Sequence, residues 1–310
     1  MNNLESLLSI PILSTNVSLL SKELLKYVDA HAYTSFFLLG IAIISFVYKI
    51  STRKKIITSR YSIIAGIAFG LSMMLFDEAV KRTRNPGIAT ALYRSQIVLT
   101  AIVSIFVFNT SLNPRVAFGI LITTIGAILV SHASDKNKNK NKKKNTSVSN
   151  KKTSVQKNDN TWIPITIVAS ILLTVKDIFS VLAIKHEIDV DNYIVSQNFF
   201  GALIIFIYKY YLDGTIIPTF SKDVQYPLFY SGMSVVIIVG FLLSSTLIKL
   251  MSTANNPAIP KAFLLLSVVL TSFISSYIDK SAALNKEQWV GIGFIISGII
   301  AIIMNKPSET

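Results

Sequence analysis

The chain of 310 residues contains no cysteine and only three histidines. The lack of cysteine excludes disulfide bonds, thiolate metal sites and thiol-based catalysis. The histidines, His31, His132 and His186, lie far apart, and no spacing typical of a metal site is present. Motifs of serine hydrolases, zinc proteases and nucleotide-binding loops are also missing from the sequence. We therefore expect no catalytic residue, no metal and no cofactor, and we expect the protein not to be an enzyme.

Charged residues are also scarce, because they make up 15% of the chain while 51% of its residues are hydrophobic. A soluble domain usually carries about 25% charged residues. The charges are absent from a series of apolar stretches and are concentrated between them. Since about 20 apolar residues are enough for a helix to cross the hydrocarbon core, the pattern predicts an all-α integral membrane protein with several transmembrane helices.

The formal net charge of +14 is high enough to suggest a nucleic-acid partner. However, nine of the 30 basic residues lie in one segment, 134–160, and most of the others lie at the ends of apolar stretches. Lys and Arg at the ends of membrane helices normally anchor them at the interface. We therefore expect the lipid bilayer as a partner and no nucleic acid.

The apolar stretches form two groups of five, which define the predicted domains. The first group occupies residues 1–132, and the second occupies residues 162–304. Between them lies a Lys/Asn-rich linker, 133–161, whose composition predicts disorder. A short tail, 305–310, completes the chain.

The first stretch, Leu7–Leu20, is the weakest of the ten because it is short and contains Pro11 and Asn16. It either spans the membrane or lies in the interface. Aromatic residues at the predicted span starts indicate an interfacial belt, namely Tyr61, Trp162, Tyr193 and Trp289. The other predicted spans are Ala32–Lys49, Tyr61–Val80, Gly87–Phe108, Val116–His132, Trp162–Ile184, Tyr193–Leu212, Leu228–Leu250, Pro257–Ile278 and Trp289–Met304.

The two groups resemble each other in sequence. Asn85-Pro86-Gly87-Ile88 opens one predicted span, and Asn256-Pro257-Ala258-Ile259 opens another 171 residues later. Because five is an odd number, a second copy of a five-span unit must enter the membrane in the opposite orientation. The sequence therefore predicts two inverted repeats of five helices each. Inverted repeats are the layout of many secondary transporters, whose substrate sites lie near the membrane midplane.

A pair of glycines seven residues apart occurs in the last predicted span of each half. Gly119 and Gly126 in the first half correspond to Gly291 and Gly298 in the second. Small residues at this spacing lie on one face of a helix and let a neighbouring backbone approach closely. We therefore predict that all four glycines are helix-packing residues.

The end of the third span and the start of the fourth read Ala79-Val80-Lys81-Arg82-Thr83-Arg84-Asn85-Pro86-Gly87-Ile88-Ala89, and the second half contains Ser252-Thr253-Ala254-Asn255-Asn256-Pro257-Ala258. With the Gly-x6-Gly spans that follow, this layout resembles the drug/metabolite transporter (DMT) superfamily, in particular its EamA-type ten-helix members. The resemblance covers nearly the whole chain except the linker and the first thirty residues. It implies ten transmembrane helices and secondary transport by alternating access. The first half departs from the family pattern, because Asn113-Pro114-Arg115 stands where family repeats usually carry an acidic residue.

Ionisable side chains inside the predicted spans are the candidate substrate-binding residues. On insertion scales such a group costs about 2.5–3.5 kcal/mol, so it usually faces a cavity or a partner. If Arg94, Lys176 and Lys261 converge on a central cavity, they favour a substrate with carboxylate or phosphate groups. Asp177 would neutralise one of them or take up a coupling proton. Neutral hydrogen bonds would come from Tyr93, Gln96, Gln197 and Asn198.

Two alternatives stay open for these charges. Arg94 could pair with Asp177 as a structural contact, and Lys261 could extend to the membrane interface. At the level of function, we predict a carrier of a small polar or anionic metabolite that works by alternating access. The alternative is a non-transporting multi-pass membrane protein on the same scaffold that acts through protein–protein contacts. A homodimer is possible in either case.

Overall fold

The computed structural model describes residues 3–82, 92–110, 112–144, 161–186, 188–278 and 284–304. Within these ranges the chain is helical, and its one β feature is an isolated antiparallel bridge between Val28 and Phe220. The predicted all-α class is therefore confirmed. The helices are α1 (Asn3–Leu24), α2 (Ala30–Ser51), α3 (Arg60–Arg82), α4 (Gln96–Phe108), α5 (Pro114–Lys144), α6 (Trp162–His186), α7 (Val190–Asp213), α8 (Tyr226–Thr253), α9 (Ala258–Phe263), α10 (Leu266–Ile278) and α11 (Lys286–Met304).

Five of the helices in these ranges, α2, α6, α7, α8 and α11, are long and apolar enough to cross a membrane. Four shorter segments are also apolar helices, and these are Arg60–Phe76, Leu92–Phe108, Pro114–Val130 and Ala258–Thr271. Large apolar side chains lie on the outside of the bundle, as Phe106 shows with 78% of its surface exposed. Extensive exposed apolar surface of this kind marks a membrane or protein contact. The architecture fits a multi-pass membrane protein.

The helix α1 forms over the stretch that the sequence left most uncertain. It includes Pro11 within its length. Its residues Leu7 and Ile10 are buried in the largest apolar cluster, together with residues of α4, α5, α10 and α11. It packs mainly against α8 and α10. The first stretch is therefore an integral part of the helical bundle.

The helix α5 continues to Lys144, beyond residue 132, where the predicted first domain ends. Extending an existing helix requires no new nucleus, and Lys is a good helix former. The remainder of the predicted linker up to residue 160 and the tail at 305–310 lie outside the described residues.

Helices from the first half of the chain pack against helices from the second half in matched pairs. The helix α2 packs along α7, and α5 packs along α11. The helix α3 packs against α6 and α7. In the same way, α8 packs against α1 and α2. If α1, α2 and α3 are exchanged with α6, α7 and α8, this set of contacts is unchanged.

The four glycines of the Gly-x6-Gly pairs meet where α5 crosses α11. A Cβ atom on Gly119 would lie 2.7 Å from the carbonyl oxygen of Gly298, and one on Gly126 would lie 2.5 Å from that of Gly291. Any larger residue would therefore collide with the facing backbone. The pairing also shows that α5 and α11 run antiparallel, because the earlier glycine of one helix faces the later glycine of the other.

Candidate functional site

A buried ionic cluster joins α6 to α9, and we refer to Lys176, Asp177 and Lys261 as the charged triad. The Asp177 carboxylate is completely buried, and the two lysines are 7% and 3% exposed. The Oδ2 atom of Asp177 accepts hydrogen bonds from the Lys261 ammonium group and, at 3.3 Å, from Thr100 Oγ1 of α4. Its Oδ1 lies 3.5 Å from Lys176 Nζ. When all three groups are ionised, the triad carries one net positive charge.

The triad lies well inside the bundle, since Asp177 is about 14 Å along the axis from the C-terminal end of α6. The Lys176 ammonium group also lies 5.4 Å from the centre of the Phe69 ring, within range of a cation–π contact. Among the described residues, Asp177 Oδ1 accepts no hydrogen bond. A buried oxygen without a donor is costly, so the charge of Lys176 is its main compensation.

Two helical segments near the triad are broken. A helical turn at Leu92–Arg94 is separated from α4 by Ser95, whose N–H bonds to the carbonyl oxygen of Leu92 at 3.2 Å. The helices α9 and α10 are separated by Leu264 and Leu265, and the Leu264 N–H bonds to Lys261 O at 3.0 Å. These tight i to i−3 bonds inside a span often mark a hinge. When the first break is shifted by the 171-residue offset of the repeat, it falls within two residues of the second break.

Hydroxyl groups from neighbouring helices bond to the backbone at both breaks. Ser170 of α6 donates to the carbonyl oxygen of Leu92 at 3.2 Å. At the second break, Thr15 of α1 donates to the carbonyl oxygen of Ser267 at 3.4 Å. Polar side chains commonly hydrogen-bond between helices inside membranes in this way. The break before α4 is therefore supported by α6, and the break between α9 and α10 is supported by α1. These two supporting helices are the first helices of the two halves.

The Arg94 side chain lies at the second break and not at the triad. Its Nη1 donates to Ser267 Oγ at 3.4 Å, and Ser14 of α1 hydrogen-bonds the same oxygen at 3.2 Å. Within the described ranges no carboxylate pairs with Arg94. Among the described residues, the interior around α4, α6 and α9–α10 thus brings together three cationic side chains and one carboxylate.

Two of the predicted neutral residues lie near the triad. Gln96 is buried and accepts a hydrogen bond from Thr100 Oγ1 at 3.0 Å, so it lies next to the Asp177 contact. Gln197 accepts from the Tyr193 hydroxyl, which also hydrogen-bonds Ser180 of α6. These bonds form a polar chain between α7 and the charged part of α6.

The other two predicted neutral residues, Tyr93 and Asn198, make different contacts. The Tyr93 hydroxyl is 3.0 Å from Ser72 Oγ of α3, and its ring stacks on Phe76. The Asn198 amide donates to the carbonyl oxygen of Ile194 in its own helix at 2.8 Å. Tyr93 thus contacts α3, and the Asn198 amide hydrogen-bonds within α7.

The buried charges do pair internally, but the pairs are those of Asp177 with Lys261 and Lys176. Lys261 does not extend to the interface, because its ammonium group bonds to Asp177 in the interior. Arg94 does not pair with Asp177, because Lys261 and Lys176 take both carboxylate oxygens and Arg94 reaches Ser267 instead. A buried acid selects the partners that fully compensate its charge, and two lysines already do so.

Two further ion pairs connect α2 and α7, and the sequence analysis missed them. Lys49 Nζ at the end of α2 lies 2.7 Å from Oδ2 of Asp189, the N-cap of α7. Lys209 Nζ near the end of α7 lies 3.3 Å from Oδ2 of Asp29, the N-cap of α2. Lys209 also pairs with Asp213 at 2.8 Å. Each pair thus links the end of one helix to the start of the other.

The signal for these pairs is present in the sequence as a second repeat. Asp29 and Lys49 recur as Asp189 and Lys209, shifted by 160 residues. Lysines at span ends normally anchor a helix at the interface, but Lys49 and Lys209 are only 0% and 1% exposed. The aromatic-belt interpretation is likewise wrong for Tyr193, which is completely buried because α7 begins a turn earlier, at Val190.

Comparisons with known proteins bear on the fold alone. No protein-family profile and no curated protein matches the chain. Among solved structures 26 chains match. One of them, described only as the crystal structure of a protein, aligns over 98% of this chain and 98% of its own length with a TM-score of 0.71 and 11% sequence identity. The chain therefore has a known fold, and its function must be argued from its site.

Proposed function

We propose that the protein is a ten-helix secondary transporter of the drug/metabolite type that moves a small polar or anionic metabolite by alternating access. The observation that carries the proposal is the charged triad, which lies inside the bundle next to two broken helices. Ionisable groups in a membrane interior are costly and usually mark a substrate or ion pathway. Paired broken helices at corresponding positions of two repeats are the typical location of a transporter site.

The charges around the site favour an anionic substrate. Lys176, Lys261 and Arg94 are balanced by one acid, Asp177, among the described residues of this region. A carboxylate or phosphate group would compensate the remaining positive charge and would hydrogen-bond to several donors at once. An organic cation would meet repulsion from the same three groups.

The packing supports two inverted repeats of five spans, if α9 and α10 count as one broken span and the helix around Leu92–Phe108 as another. The antiparallel glycine contact between α5 and α11 is the kind of contact that such a symmetry would produce on its axis. The two Lys–Asp pairs between α2 and α7 exchange under the same operation. In the proposed transporter, two related halves would open alternately toward opposite sides.

The proposed mechanism uses fixed and moving parts of the bundle. The pairs α2–α7 and α5–α11 form tight contacts across the axis, through buried ions in one case and glycines in the other. The broken helices carry Arg94 and Lys261, and hydroxyl groups of α6 and α1 bond to their backbones. Motion at the breaks would expose the triad to one side and then to the other, as alternating access requires.

The test is a transport assay with the purified full-length chain in liposomes. A panel of phosphorylated sugars, nucleotide sugars, organic acids, amino acids and organic cations would be offered as labelled compounds. We expect accumulation of one or more anions, and a loss of at least about tenfold in Arg94→Gln, since a charge-assisted contact contributes about 1.5–3 kcal/mol. The exposed loop variant Lys222→Gln is the control and should transport normally. Absence of transport for the whole panel would count against a carrier.

One observation favours the second candidate, a non-transporting membrane protein on the same scaffold. The Asp177 carboxylate is completely buried and already compensated by two lysines, as in a purely structural ionic contact. In that case neither the wild type nor Arg94→Gln would transport any compound of the panel. Variants of the triad would then alter only the thermal stability of the protein.

A further inference from the structure

The two carboxylate oxygens of Asp177 in the charged triad have different partners. Oδ2 accepts hydrogen bonds from Lys261 and Thr100, whereas Oδ1 accepts none from the described residues. Oδ1 instead faces the Lys176 ammonium group at 3.5 Å. An anion that binds to Lys176 must therefore approach this bare oxygen closely.

Two anionic groups that share one pair of lysines repel each other. Such proximity strongly favours protonation of one of them, as in carboxylate pairs that share a site. A proton on Oδ1 would convert this oxygen from a repelling group into a hydrogen-bond donor for the anion. Oδ2 could keep its contact with Thr100, and Lys261 would become available to the anion.

We infer that Asp177 is a proton-coupling residue, whose Oδ1 takes up one proton when a carboxylate or phosphate group binds between Lys176 and Lys261. The proton comes from the water on the side from which the anion enters, and it returns to water when the anion leaves. The triad with its protonated acid and one bound monoanion carries the same net charge of one as the empty, ionised triad. Uptake of a monoanion with a proton is therefore electroneutral. This inference rests on the proposed function.

The groups around Asp177 fit this role. The charged or titratable side chains that face it from the described residues are Lys176 of α6, Lys261 of α9 and Tyr193 of α7. Its neighbours from α4, Thr100 and Gln96, are uncharged. No second carboxylate of the described residues contacts Asp177, so one proton acceptor accounts for the coupling.

The experiment measures the protons taken up by the full-length chain in detergent when an anion binds. Sulfate and acetate are the probes, because both are ionised in solution near neutral pH. Sulfate is a much weaker base than a carboxylate, so a proton taken up together with sulfate goes to the protein, and acetate tests a carboxylate in the same site. Calorimetric titration in two buffers that differ in their heat of ionisation gives the number of protons per bound anion. We expect about one for the wild type at about pH 7. The Asp177→Asn protein, whose amide imitates the protonated acid, should bind the probes with about zero uptake.

The control is Asp223→Asn, an exposed acid in the loop between α7 and α8, which should show the wild-type count. Binding to the wild type without proton uptake would overturn the inference and leave the carrier proposal intact. The wild-type count decides this point even if Asp177→Asn does not fold. Failure of both probes to bind to the wild type would overturn the anion site itself, while the transport panel would still decide whether the protein is a carrier.

Discussion

Lys49 Nζ and Asp189 Oδ2 lie 2.7 Å apart, although the two residues are 140 positions apart in the chain and Lys49 is completely buried. Burial raises the pKa of Asp189, but the hydrogen bond and charge of Lys49 and a hydrogen bond from the Asn192 N–H outweigh it. The net result is a pKa below the ordinary value of 3.8. Burial also raises the pKa of Asp29, the counterpart at the other end of the helix pair. Hydrogen bonds from Thr219, Ala32 and Lys209 outweigh burial, so the pKa of Asp29 is lowered as well.

Acid should therefore weaken the contact between α2 and α7. A carboxyl group with a lowered pKa in the folded state contributes stability above its unfolded value of 3.8, and the contribution is lost as the pH falls through the lower folded value. We expect the midpoint of thermal unfolding in detergent to fall below about pH 4. In Asp189→Asn the midpoint of thermal unfolding should fall less on acidification. Its midpoint at neutral pH should be lower than that of the wild type, because Lys49 loses its partner. Asp223→Asn is the control and should follow the wild type. An unchanged acid profile in Asp189→Asn would contradict the assignment.

The sequence predicted the helical segments well because a membrane interior imposes one simple rule. A helix must satisfy its own backbone and be apolar over about 20 residues. Predicted bounds such as Tyr61–Val80 therefore differ by only a few residues from the observed Arg60–Arg82. The break between α9 and α10 was not predicted, because Leu264 and Leu265 are ordinary helix formers and the irregularity arises from tertiary contacts.

The candidate site was predicted in its residue types but not in its pairing. The high cost of a buried charge singled out Arg94, Lys176, Asp177 and Lys261. The choice of Lys261 as the partner of Asp177 depends on where the tertiary fold places α9 relative to α6, which lies outside any one-dimensional pattern. The Lys–Asp pairs of α2 and α7 were missed for a different reason. A lysine at a span end has the same sequence pattern whether it reaches water or a buried acid.

Replacement of Gly126 should loosen the contact between α5 and α11. A methyl group there would lie 2.5 Å from the Gly291 carbonyl oxygen and 2.8 Å from the Ile295 nitrogen, and neither backbone atom can move independently. We expect Gly126→Ala to lower the free energy of unfolding by about 1–3 kcal/mol. Gly293→Ala is a matched control on α11, since a Cβ atom there meets nothing within 4 Å. Reversible unfolding in mixed micelles measures both, and equal stability of the two variants would argue against the close approach.

The lysine–aspartate contact of the charged triad should show strong coupling in a double-mutant cycle. Lys261→Met leaves Asp177 with Lys176 alone, and we expect a loss of about 3 kcal/mol, at the lower end for a broken buried pair. Adding Asp177→Asn leaves Lys176 without its acid, but the loss in the double variant should be smaller than the sum of the two single losses, because each single variant already removes the same Lys261–Asp177 contact. Transport should be lost in Lys261→Met and should not return in the double variant. Thermal unfolding and uptake would be measured on the same preparations, and strictly additive stability changes would show that the two side chains do not interact.

The loops that follow α2 and α7 should lie on opposite sides of the membrane. Lys49 at the end of α2 meets the start of α7, and Lys209 near the end of α7 meets the start of α2, so the two helices are antiparallel. The chain contains no cysteine, so single replacements can be labelled without a mutated background. In sealed vesicles of one orientation, an impermeant maleimide should label only one of Lys55→Cys and Lys222→Cys, both of which replace exposed loop residues. Detergent should make the other reactive, which controls for accessibility. Labelling of both from the same side would place α2 and α7 in parallel, and the inverted repeat could not hold.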